Sequence, residues 1–524
     1  MISVAKDSCN LTRSRLQYAW RPFFSRYGRL SPIQTKTIPK ILDGLNVVAS
    51  APTASGKTES MVAPVAERCM AERWEGLSTL YIVPTRALAN DMLLRLAGPL
   101  GDMGLKTALK HGDRPTLPVH TPNWLITTPE SLDSLLCRKS HLFLTLRTVI
   151  IDEIHLLDGT ARGDQLRLLL IRLRQLIEPL SLSVHLLSAT LANPDEVAQR
   201  YMQAYEIVTV AGQREADYQI LNSHEEVKKL ARDRKWKKLL YFCNKRKKVE
   251  KVASELKELW SPYPVMIHHG SLSRQIREEA EQVMKEAPVA ICVSTSTLEI
   301  GIDIGDIDAV VLAELPISTS AFLQRVGRGS RRSGKVQAVA IAQSDQQRAS
   351  LQAMFDDAIV GTLSSEVYEA DLSVAVQQIF SYLYQYRSGV SQIDLIALLS
   401  SFCDEQASQS IVQHLSKTDW IQQVGGRWYP TTPLMDLAEK GRIHSNIANS
   451  GTCKVIDVST GKEIGIVSGT QDEIFLLARQ AWKVLSIGHG VIRVNRFHGS
   501  VNAATFASSK KHGAFHHLLP PGFS

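Results

Sequence analysis

Paired cysteines and long apolar runs are both missing from this 524-residue chain. The seven cysteines (Cys9, Cys69, Cys137, Cys243, Cys292, Cys403 and Cys453) lie far apart and form no C-x-x-C pair. An odd number at such spacing gives no zinc signature and fits reduced thiols rather than a disulfide framework. No stretch approaches the ~20 consecutive apolar residues of a membrane-spanning helix. The first residues, MISVAKDSCNLTRSRLQ, lack the apolar core of a secretory leader, so a cytoplasmic protein with no membrane partner is expected. Long repeats and low-complexity tracts are absent too. What is present is ordinary globular composition, 44% hydrophobic and 21% charged, which excludes wholesale disorder. At roughly 150 residues per domain, the length implies about three or four domains. The net charge of +8 and pI near 9.0 permit a polyanionic partner without requiring one.

Short apolar, β-rich runs alternate with helical patterns up to about residue 345. They include NVVAS (46–50), STLYIVP (78–84), WLITT (124–128), TVIID (148–152), SVHLLSAT (183–190), KLLYFC (238–243), VAICVST (289–295) and DAVVLAEL (308–315). Nearly continuous apolarity marks strands buried on both faces, so an α/β chain of parallel sheets is expected, with ligands at the strands' carboxyl ends. Breaks in the pattern fall near 205–225 and 345–365. Residues 373–418 then read as three short helices, and WIQQVGGRWYPT (420–431) turns around Gly425-Gly426 as a hairpin. Three helices and a hairpin is winged-helix order. The last 80 residues read as a small antiparallel β domain, and the tail SSKKHGAFHHLLPPGFS (508–524) as loop or poorly ordered chain.

Three segments carry chemistry. APTASGKT (51–58) follows a strand and precedes a helical run, the context of a phosphate-binding loop. Its amides would cradle the β- and γ-phosphates, Lys57 would neutralise them, and Thr58 would ligate magnesium. Ala51 stands where the bare pattern has its first glycine, and a chance Gly-Lys-Thr at a helix start is the competing reading. IIDEIH (150–155) puts two carboxylates at the end of a buried strand, where uncompensated charge is costly. In phosphoryl transfer Asp152 would hold the metal and Glu153 would orient and deprotonate water; a helix N-cap is the duller reading. QRVGRGSRR (324–332) places Arg328 and Arg331 three residues apart on one side of a helical turn. Guanidinium groups there would stabilise the charge developing on a γ-phosphate, which requires the two α/β blocks to close around one nucleotide.

In this order the three segments resemble superfamily 2 helicases. LSPIQ (30–34) resembles the adenine-reading Q motif. VPTRALAND (83–91), TTPESL (127–132), LSAT (187–190) and STSTLEIGIDIGDID (294–308) resemble motifs Ia, Ib, III and V. TVIIDEIHLLDGTARGDQLRLLL, IHHGSLSRQIREEAE and LPISTSAFLQRVGRGSRR resemble the large helicase-related (Lhr) family in particular. The likeness is dense over about 20–345, thinner to GRIHSNI (441–447) and weakest beyond. Ser330 stands where motif VI usually has glycine, which bears on the backbone of the arginine loop.

The resemblance implies two tandem RecA-like domains (1–207 and 208–345), a winged-helix domain (346–445) and a β-rich C-terminal domain (446–524). It implies ATP and Mg2+ as cofactors, and an ATP hydrolase that tracks 3′ to 5′ on single-stranded DNA and unwinds tailed duplexes and RNA–DNA hybrids, in repair or defence. Carried over by motif, catalysis falls to Lys57, Asp152, Glu153, Arg328 and Arg331. Nucleotide binding falls to Gln34, Thr53, Ala54, Ser55, Gly56, Lys57, Thr58, Gly301 and Asp303, and metal binding to Thr58 and Asp152. His155 and Ser188-Ala189-Thr190 resemble the elements that report nucleotide state. Phe24 or Tyr27 would stack on adenine, unless each is an ordinary aromatic of the fold.

A motor that tolerates any sequence must grip phosphates rather than base edges. Thr85, Arg86, Thr128, His269, Ser271, Thr295 and Ser296 are the candidates, each hydroxyl also being an ordinary cap or turn residue. KKLARDRKWKK (228–238) is either a DNA-facing patch or a solvated helix face. The winged helix, with Arg427 and Trp428 in its wing, either works on the strand or braces the fold. Two other functions compete: an RNA remodeller, and a nucleotide-gated subunit whose C-terminal domain binds a protein partner.

Overall fold

The computed structural model describes residues 9–52, 55–189, 191–210, 215–299, 304–329, 335–360, 368–447, 452–469, 471–488, 490–497, 499, 502–506 and 513–523. The chain divides into two units: Met1–Ala211 with Ser365–Ala448 and Lys510–Ser524, and Gly212–Ser364 with Asn449–Ser509.

The first unit is built on a parallel sheet of seven strands: Val47–Ser50 (β1), Thr79–Ile82 (β2), Thr107–Lys110 (β3), Trp124–Thr127 (β4), Thr148–Ile151 (β5), Ser183–Ser188 (β6) and Glu206–Thr209 (β7). Their order is β3-β4-β2-β5-β6-β1-β7. Strands β1, β2, β4 and β5 are buried at every position, as continuous apolar runs require. The chain reverses its direction of winding around β1, which places β1, β5 and β6 side by side with their carboxyl ends together.

Against the helices Pro129–Lys139 and Ala161–Ile177 of this unit lies a winged helix. The helices Ser373–Gln385, Gln392–Leu399 and Glu405–Lys417 precede a three-stranded sheet of Val390–Ser391 (β14), Ile421–Val424 (β15) and Arg427–Pro430 (β16). Every residue of 373–384 is buried, including Gln377, Gln378 and Ser381. These polar groups converge on Asp133 of the helix Pro129–Lys139. One of its carboxylate oxygens accepts from Arg172 Nη1 and Ser381 Oγ, both at 2.6 Å. The other lies 3.2 Å from Gln377 Nε2 and 3.1 Å from His444 Nδ1. Asp133 and Arg172 are both fully buried side chains, so the ion pair is dry. The bond to Asp133, helped by Cys137, outweighs burial and holds the His444 imidazole up at about 9. Asp133, Cys137 and His444 have metal-ligating geometry, but an arginine already occupies the carboxylate, so the cluster is a polar joint.

The described part of the tail, expected as loop or poorly ordered, is loop with one short turn, and it packs on the winged helix. Residues 513–523 include a 3-10 turn, His516–Leu518, and Phe515 is buried edge-on against Phe380, 5.7 Å between ring centroids. Asn446 ties it down, accepting from Phe515 N at 3.3 Å while its own carbonyl accepts from Ala514 N at 2.8 Å. Short apolar segments escape periodicity arguments because they bury themselves through contacts distant in sequence.

The second unit carries a six-stranded parallel sheet: Glu215–Leu221 (β8), Lys238–Phe242 (β9), Val265–His268 (β10), Ala290–Ser294 (β11), Ala309–Leu312 (β12) and Lys335–Ile341 (β13), in the order β10-β11-β9-β12-β13-β8. The sequence break near 205–225 therefore contains two edge strands, β7 of one sheet and β8 of the other. A mixed five-stranded sheet packs on this unit: Thr452–Asp457 (β17), Glu463–Ser468 (β18), Ile474–Leu477 (β19), Gln480–Gly488 (β20) and Val491–Phe497 (β21). The β17–β21 pair is parallel, which corrects the all-antiparallel expectation. Ala478 and Arg479 join β19 to β20 with φ of +56° and +64°, a left-handed turn that usually takes glycine or asparagine. The Glu250 carboxylate stabilises it by accepting from Ala478 N at 2.9 Å and Arg479 N at 3.1 Å.

Candidate nucleotide and nucleic-acid sites

Strand β1 ends at Ser50, and the helix Lys57–Ala71 begins six residues after Ala51. Gly56 caps it with φ of +86°, and a Cβ at that position would collide with Gln34 Nε2. Only glycine meets both demands. Gln34 is bound into a capping box: its Oε1 accepts from Ser31 N at 2.8 Å, and its Nε2 donates to Gly56 O at 3.2 Å. Ser31 Oγ donates to Ser55 O at 2.7 Å. The Q-motif residues thus shape the loop itself. Thr53 and Ala54 lie outside the described residues.

Asp152 and Glu153 follow β5, next to this loop. Glu153 has φ of +47° and ψ of +47°, a left-handed backbone for a residue with a side chain. Such strain costs roughly 1–3 kcal/mol and is characteristic of functional positions. Asp152 Oδ2 accepts from Tyr81 Oη at 2.6 Å, and Oδ1 accepts from Glu153 N at 2.8 Å. Burial and the adjacent Glu153 charge push the Asp152 carboxyl up to about 6, against the pull of Tyr81 and Lys57. Burial and the Lys57 charge press His155 down to about 3, so the imidazole is neutral and its 3.6 Å approach to Glu153 is no ion pair. His155 Nδ1 lies 2.8 Å from Ser188 Oγ at the end of β6, which joins the carboxylate segment to LSAT. Thr190 falls outside the described residues.

Oxygen-only donors are what magnesium prefers, and Thr58 and Asp152 supply them. The Asp152 carboxyl, pushed up by burial and by the Glu153 charge, is relieved by a divalent cation. Ser55 Oγ is buried with no hydrogen-bond partner among the described residues. The donor set therefore fits a magnesium-bound nucleotide. Phe24 is fully buried against Trp20 and Phe23, which makes it a core aromatic; Tyr27 is 57% exposed.

In the second unit, Arg328 is 5% exposed and turned inward, with Nε and Nη2 donating to Glu299 O at 3.2 and 2.8 Å. Gly301, Asp303 and Arg331 lie outside the described residues.

The candidate phosphate contacts divide by exposure. Thr85 caps the helix Arg86–Asp102, its Oγ1 accepting from Leu88 N at 3.2 Å. Arg86 is exposed and paired with Asp113 at 2.6 Å, and Ser296 is exposed. Thr128 and Thr295 are buried at 5% and 7%. His269 is fully buried, its Nε2 facing Glu250 at 3.2 Å, and Ser271 is covered by β18, whose Ile466 N donates to Ser271 O at 2.7 Å. Both face protein, where they join the β-rich domain to the second sheet; a role for them on nucleic acid rests on the motif resemblance alone. Trp428 is likewise buried, donating to Gln392 Oε1 at 2.6 Å. Within 228–238, Lys228, Arg234 and Lys238 are tied to Leu259 O, Asp217 and Met284 O, which favours the structural reading of that run. Tyr81, Glu250, Glu299 and Arg325 escaped notice because their partners are remote in sequence.

Two family models match the chain: DEAD/DEAH box helicase over residues 31–197 and helicase conserved C-terminal domain over 222–333. The ATP-dependent helicase Lhr-Core of Saccharolobus solfataricus is 32% identical over 354 residues, 59% of this chain and 40% of that protein. Lhr-Core of Methanothermobacter thermautotrophicus is 31% identical over 478 residues, 80% of this chain and 54% of that protein. The chain thus spans about half the length of these relatives. The structure of Mycobacterium smegmatis helicase Lhr bound to single-stranded DNA and AMP-PNP superposes with a TM-score of 0.70 at 25% identity, over 80% of this chain and 61% of that one. The DUF1998 helicase MrfA bound to DNA shares the fold, with a TM-score of 0.73 at 20% identity over 92% and 69%.

Proposed function

Because the chain belongs to the Lhr-type helicases of superfamily 2, we propose that it is an ATP-driven DNA helicase that moves 3′ to 5′ on single strands and opens tailed duplexes and RNA–DNA hybrids. The observation that carries this reading is the grouping of Lys57, Thr58, Asp152 and a strained Glu153 at the carboxyl ends of β1 and β5, the two strands that flank β6.

Thr58 and Asp152 would hold magnesium, which when bound neutralises phosphate charge and orients the triphosphate. The buried Lys57 ammonium adds fixed positive charge at the loop. Glu153 is left to position and deprotonate the attacking water, its carboxylate aimed by the left-handed backbone. Neutral His155 links that backbone to Ser188, so a shift at Glu153 is felt at LSAT. Arg328 and Arg331 are the proposed guanidinium donors to the γ-phosphate. Thr85, Arg86 and Ser296 are the accessible members of the proposed strand-binding set.

The test is ATP hydrolysis with single-stranded DNA and with RNA, and unwinding of 3′- and 5′-tailed DNA, RNA and hybrid duplexes. DNA-stimulated hydrolysis and opening of 3′-tailed substrates are expected. Stimulation by RNA alone, or opening of 5′-tailed substrates alone, contradicts the proposal.

A further inference from the structure

We propose that Glu299 is a positioning residue for ATP turnover: it orients the arginine loop by binding Arg325 through its carboxylate and Arg328 through its carbonyl. The inference rests on the ATPase reading above and goes beyond it by assigning work to the buried Glu299–Arg325 pair.

Glu299 follows β11 in STSTLEIG, and Arg325 lies in the last turn of the helix Thr319–Val326. Arg325 Nε donates to Glu299 Oε1 at 2.6 Å, with side chains only 3% and 5% exposed. Arg325 Nη1 donates to Asn244 Oδ1 at 2.9 Å, and its guanidinium lies over the Phe242 ring, 5.6 Å from the centroid. The arginine is thereby held on three sides. One turn on, Arg328 N donates to Arg325 O at 3.1 Å, and the Arg328 guanidinium reaches back to Glu299 O. The Glu299 carboxylate therefore fixes Arg325, and the backbone carbonyl of the same residue receives Arg328.

Energetics argue that the pair is not there for stability. A dry ion pair loses about as much in desolvation as it gains, and well-packed apolar replacements are often as stable or more so. What methionines in its place lack is direction: guanidinium–carboxylate bonding fixes orientation as well as distance. An arginine loop must present its guanidinium groups within fractions of an ångström of a developing charge. The pair supplies that aim.

The experiment compares Glu299→Gln, Glu299→Asp and the double variant Glu299→Met/Arg325→Met with the parent chain, by steady-state ATP hydrolysis with single-stranded DNA and by thermal melting. Glu299→Gln is expected to lower kcat about tenfold to a hundredfold, with KM for ATP changed less than about threefold. Glu299→Asp, which keeps the charge, should recover part of that loss. The double variant should melt at or above the parent temperature and still show the kcat deficit, which a merely structural pair would not. Parent-like kcat in the double variant or in Glu299→Gln overturns the proposal. A parent chain that hydrolyses no ATP overturns the functional reading itself, and this inference with it.

Discussion

Glu153 occupies left-handed backbone where glycine would rest without strain. Its retention there is explained if the carboxylate has work to do. Replacing Glu153 with Gln should leave ATP affinity nearly unchanged while cutting turnover about 10²–10⁴-fold, the usual worth of a general base. Unchanged hydrolysis in a single-turnover assay would remove Glu153 from that role. Gly56 makes the converse case. A methyl group there meets Gln34 and an unsuitable φ together, so Gly56→Ala should weaken ATP binding and lower the melting temperature, read by nucleotide titration and calorimetry. Lys57→Ala should weaken ATP binding without disturbing the fold, since the lysine starts a helix whose packing it does not provide. Retained affinity in that titration would contradict the loop assignment.

At the scale of elements, the helix Ser373–Gln385 holds the winged helix to the helices Pro129–Lys139 and Ala161–Ile177 through the buried Asp133–Arg172 pair. Asp133→Asn strands the arginine's charge and should destabilise the first unit by about 3–5 kcal/mol in urea denaturation. Two histidines give that unit a pH profile. Buried His185, held near 3 by desolvation and then by Arg68, stays neutral when folded, whereas the unfolded chain protonates it below 6.5. Stability should therefore fall as pH drops from 6.5 and be untouched by this residue above it. His444 works the other way: its proton, kept up to about 9 in the folded state, stabilises fully below 6.5 and ceases to do so as pH rises through 9. His444→Gln should flatten the alkaline limb in denaturation midpoints taken from pH 6.5 to 9. The helix Glu405–Lys417, which would face duplex DNA in a reading winged helix, opens with Asp404 and Glu405 and has its only lysine at the far end. Phosphates would be repelled from its leading turn, which supports the bracing role.

Over the whole molecule, the chain enters the second unit twice and returns to the first twice, so the winged helix and tail build on one sheet and the β-rich domain on the other. Each appended domain is joined to its sheet by a buried carboxylate, Asp133 in one unit and Glu250 in the other. A motor that grips phosphates should lose affinity for single-stranded DNA steeply with salt, because each contact releases a counterion. A binding constant indifferent to ionic strength between low and physiological salt would exclude such a grip.

Local pattern alone was enough for the two parallel sheets, the winged-helix order, and the loop and carboxylate segments. Buried strands must be continuously apolar, and a phosphate loop needs its glycine and lysine at set distances, so both leave contiguous traces. Tertiary structure alone decided that His269 and Ser271 belong to a joint, that Trp428 fills a core, that the tail packs beside Phe380, and that Glu299 holds two arginines. Each outcome depends on which distant residue covers or pairs with the group, and burial of a polar side chain is a property of its neighbours in space.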